Sequence, residues 1–113
     1  MLEVADLVSV ERELSESVVT AAALAVLAGI AAADAACCAA LGRRSCSADH
    51  RDAITVLGRI EPGGDAAAQK LRRILDEKDS AHYGLQGIGS QTLTALQRQA
   101  QGLVDFAAEV LAR

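Results

Sequence analysis

The chain has two histidines, the side-chain type best suited to moving protons near neutral pH, and each stands among charges. His82 follows Lys78 by four residues and precedes Tyr83. At that spacing a helix sets the lysine and the imidazole on one face. Where such a pair meets a carboxylate, it becomes an acid–base cluster able to take a proton from a hydroxyl and to steady charge on a phosphoryl group. Asp34 is the natural carboxylate, being the single charge in the apolar stretch 18–41. His50 stands between Asp49 and Arg51, a little after Arg43 and Arg44, and a helix start with nearby arginines favours an anion such as a phosphate. Each set also has a plainer reading. Lys78 snorkels and His82 caps the last carbonyls of its helix, and Asp49 is an ordinary N-cap ahead of an exposed histidine.

Metal chemistry is poorly served. Cys46 and His50 have a spacing met in metal sites, with Cys37 or Cys38 as further ligands, but no Cys-x-x-Cys pair accompanies them. Small buried thiols account for Cys37 and Cys38, so neither a metal nor a cofactor is expected. The sequence has no phosphate-binding glycine loop, nucleophile elbow, dinucleotide fingerprint or zinc-protease motif. Three cysteines, two of them adjacent, fit no disulfide framework and suggest the reduced thiols of a cytoplasm.

Positioning these residues falls to helices. About half of the 113 residues are apolar, yet there is one Phe, one Tyr and no Trp. The core must therefore be built from Ala, Leu, Val and Ile, and alanine is the best helix former. No segment alternates with period two, so the expectation is one all-α domain over 1–113, an up-and-down bundle of four to five helices. A short amphipathic helix is expected over Leu2–Val10, with Ser15 or Ser17 capping a second over Val18–Leu41 that is covered on most sides and ended by Gly42. Ser47 or Asp49 is read as the cap of a third helix, with Ala53, Ile54, Val56, Leu57 and Ile60 as its apolar stripe. The run Glu61-Pro62-Gly63-Gly64 breaks it. Asp65 caps a fourth, whose core face runs Ala68, Leu71, Ile74 or Leu75, Lys78, and Ala81 or His82. After Gly84, Gly87 and Gly89, Ser90 caps a last helix with Leu93, Leu96, Ala100, Leu103, Val104, Ala107, Val110 and Leu111 inside. Lys78 and His82 thus interrupt an apolar seam, and a buried charge needs a partner.

Charge narrows the partners. The net charge is −4, and residues 1–42 carry six acids against Arg12. A broad nonspecific grip on a duplex is therefore disfavoured, while the basic residues of 43–82 leave room for a local cleft. The N-terminal acids have the wrong sign for a secretory or organelle-targeting helix. The uncharged stretch 18–33 is short for a span and closes on Asp34, so it is read as a core helix and no membrane is expected.

With these residues in place, the chain resembles the HEPN superfamily of small helical bundles. The resemblance is carried by Ala-Gly-Ile-Ala-Ala-Ala-Asp-Ala at 28–35, Leu-Gly-Arg-Arg-Ser at 41–45, Asp-His-Arg-Asp-Ala at 49–53 and Lys-Asp-Ser-Ala-His-Tyr-Gly at 78–84. It implies a bundle that commonly dimerises, with polar residues of the second and fourth helices gathered at a cleft near the dimer contact. Many members are metal-independent ribonucleases, often toxins of toxin–antitoxin pairs, that use an Arg separated from a following His by four to six residues. Here those positions hold Glu77, Asp76 and Leu75. The order Lys78, two spacers, Ala81, His82, Tyr83 is closer to a divergent branch.

Three functions follow from this reading. The first is a nucleotide- or RNA-binding domain, in which Asp49, His50, Arg51 and Tyr83 join Lys78 and His82 in holding a phosphate. The second is an RNA-cleaving enzyme with His82 as acid or base, Lys78 stabilising charge and Asp34 orienting the imidazole. The third is a homodimer that presents its surface to another protein, such as a nucleotidyltransferase partner.

Overall fold

The computed structural model describes residues 4–42, 50–83 and 90–113, with side chains described over 16–42, 50–79 and 91–113. Within them the chain is all-helical, with four helices and no strand: α1 (Val4–Leu41), α2 (Arg51–Gly58), α3 (Gly64–Tyr83) and α4 (Ser90–Leu111).

The two helices expected before Gly42 are one. From Val4 the chain meets no glycine before Gly29 and no proline before Gly42, so nothing stops propagation, and Ser15 and Ser17 sit inside α1 rather than at its start. Gly42, at φ +66°, then lets the chain leave the helix, its N–H donating to the Cys38 carbonyl. At 1.5 Å per residue α1 is about 57 Å long. That is the whole length of the 58 × 26 × 19 Å molecule, whereas α3 and α4 reach only about 30 Å and 33 Å. α1 therefore outruns the helices that pack on it. No described side chain of α1 ahead of Ala22 is buried.

The shorter helices run back and forth. Gly58 at the end of α2 lies against Ala68 and Asp65 at the start of α3, while Arg51 at the start of α2 pairs with Asp76 and Asp79 near the end of α3. α2 and α3 are thus antiparallel. The turn between them is the expected Glu61–Gly64 break, with a cis bond before Pro62 and Gly63 at φ +98°. Helix α3 starts one residue ahead of Asp65, which lies in its first turn, and the Gly63 carbonyl accepts from the Ala67 N–H. Gly64 has no room for a side chain, since a Cβ there would sit 2.5 Å from the Leu57 carbonyl oxygen. The last helix returns antiparallel to α3, so that Lys70 lies over Gly102, and Arg73 and Glu77 share a groove with Ala95, Leu96 and Gln99. Arg113 then closes the far end by donating to the Glu61 and Pro62 carbonyls, with its guanidinium 5.8 Å from the Phe106 ring centroid.

The core is aliphatic, as composition requires. Leu57, Leu71 and Ile74 are fully enclosed, with Leu103, Ala36 and Cys37 against them in one cluster. The expected stripe of α2 is buried but for half-buried Val56, and in α3 Ile74 and Leu75 are both inside. Three expectations fail. Lys78 is not on the core face of α3 but exposed. Val104 and Leu111 of α4 face outward, and Phe106 is inside instead. Nor is the apolar helix covered on most sides: Leu24 is 61 % and Leu27 62 % exposed. A helix apolar all round offers no single face to choose, and here one half meets α4, α3 and α2 while the other meets nothing among the described residues.

Candidate functional site

The residues proposed for chemistry distribute over three elements, α1, the start of α2 and the end of α3. Asp34 sits half-buried on α1 between the fully buried Ala33 and Ala36. Lys78 is exposed on α3, and no described ion pair joins it to Asp34. Helix α3 continues through Tyr83, so positions 78 and 82 are one turn apart along it. The side chains of His82 and Tyr83 lie outside the described residues, as do Asp49, Cys46 and the glycines 84, 87 and 89.

His50 is half-buried and is itself the N-cap residue of α2. Its backbone is already helical, at φ −62° and ψ −14°, its side chain makes no capping bond, and its carbonyl accepts from the Ala53 N–H, while the expected caps Ser47 and Asp49 lie outside the described residues. Arg51 is committed elsewhere. Its Nη2 donates to Asp79 Oδ2 at 2.7 Å and to Asp76 Oδ1 at 2.9 Å, and those two bonds raise its already high pKa. The surroundings of Lys78 are accordingly acidic. Asp76, Glu77 and Asp79 are all exposed, three carboxylates against Lys78 and Arg51. The acids that engage Arg51 escaped the sequence reading, although Asp76 and Asp79 fall three apart on one helix, where two carboxylates can share one guanidinium.

Cys37 is buried at the core side of α1, and burial pushes its thiol pKa up, with the nearby Asp34 and Cys38 adding in the same sense. It is the reverse of an activated nucleophile. Cys38, next to it, is exposed. Among the described residues no group of three His, Cys, Asp or Glu side chains is arranged to hold a metal ion.

The most extensive unusual surface is apolar. From Thr20 to Leu41 the exposed positions of α1 are Thr20, Ala23, Leu24, Leu27, Ala28, Ala31, Ala35 and the run Cys38–Leu41, without a charge among them. They recur every three or four residues, which makes them one continuous stripe along the helix. Asp34 stands at its edge. The 26 residues Glu16–Leu41 are long and apolar enough for a membrane span, with mean hydropathy 2.1 over their best window, of which 39 % is buried against the rest of the chain. No family model matches the chain, and neither a curated protein nor a solved structure does.

Proposed function

We propose that this chain is a helical association domain that works as a homodimer, docking through the open side of α1. The observation that carries the reading is the uncharged stripe from Thr20 to Leu41, with Leu24 and Leu27 more than half exposed on it. Apolar area left in water is unfavourable by about 25 cal/mol per Å², and contiguous apolar patches of a few hundred Å² mark interaction surfaces. A stripe about 33 Å long on a helix about 10 Å across is of that order. It is smaller than the ~800 Å² per partner of a standard stable interface, so the dimer is a reversible one. Sedimentation across micromolar concentrations tests this. The expected result is a concentration-dependent shift to twice the monomer mass, abolished by Leu24→Glu with Leu27→Glu while the helical circular dichroism is kept. A wild-type chain that stays monomeric into the millimolar range overturns the reading.

A nucleotide- or RNA-binding role, of the kind the HEPN resemblance implies, is proposed second, at the C-terminal end of α3. Exposed Lys78, outside every described ion pair and one turn from position 82, supports it. Titration with short RNA and nucleotides at low salt tests binding, and incubation of RNA with a chelator tests cleavage. Binding that falls with Lys78→Ala, or cleavage lost in His82→Ala, is the expected result. The absence of both binding and cleavage at low salt overturns the proposal.

A further inference from the structure

We draw no further inference here: the strongest candidate, the uncharged stripe from Thr20 to Leu41 on the open side of α1, belongs to the surface already described, and nothing in the structure shows what covers it.

Discussion

At the scale of single residues, the two neighbouring thiols of α1 are the sharpest contrast in the molecule. Cys37 is enclosed and its thiol held in the neutral form by burial, with Asp34 adding to the effect, whereas Cys38 is exposed. A thiolate is the reactive species, so iodoacetamide at neutral pH is expected to label Cys38 in the native protein and to reach Cys37 only in denaturant; mass spectrometry of the digested peptides reads the ratio. The sign of the pH dependence follows. A group whose folded pKa is raised stabilises the fold below the pKa of the unfolded thiol, about 8.5, and that contribution is lost as pH rises through the higher folded value. Denaturation midpoints should therefore fall on the alkaline side of pH 8.5, and Cys37→Ala should flatten that fall. Equal labelling of both thiols in the native state would contradict the burial.

Among the elements, the α2–α3 turn is the least tolerant. Gly64 has the Leu57 carbonyl oxygen 2.5 Å from where a Cβ would stand, with the backbone of Gly58 beyond it, and backbone cannot swing aside as a side-chain tip can. Gly64→Ala is expected to cost about 1–3 kcal/mol, the usual range for overpacking. Gly29→Ala meets chiefly side-chain tips, Ile74 Cδ1 at 2.6 Å and Leu103 Cδ1 at 3.4 Å, rather than close backbone, and should cost less. Leu71→Ala, at a site with no exposure, is expected to cost about 2–5 kcal/mol in urea unfolding, through lost burial and the cavity it leaves. The turn was legible in advance because proline and paired glycines leave a local mark, and the aliphatic face of α2 was legible because it repeats every three to four residues. The join between residues 10 and 18 was misread because Ser15 and Ser17 cap helices well but interrupt them only weakly. Lys78 was misread for a different reason. The seam Leu71, Ile74, Leu75 ends where α3 leaves the core, and a register continued by spacing does not say where the covering helix stops.

For the whole molecule, the governing fact is length. The radius of gyration is 16.7 Å, against about 13 Å for a compact domain of this size, because α1 extends past everything packed on it. The sequence shows that α1 is apolar but not that only half of it is covered, since coverage depends on how far α3 and α4 reach, a property of three helices together. The same fact decides what the proposed dimer would bury, because the half of α1 that α3 and α4 leave uncovered holds Leu24 and Leu27. Leu24→Glu puts a carboxylate on that half and should raise the dissociation constant on the order of a hundredfold, the loss of one buried leucine from each copy, as read by sedimentation. A dimer that forms as tightly in the Leu24→Glu variant as in the wild type would mean that the uncovered half of α1 is not where the copies meet.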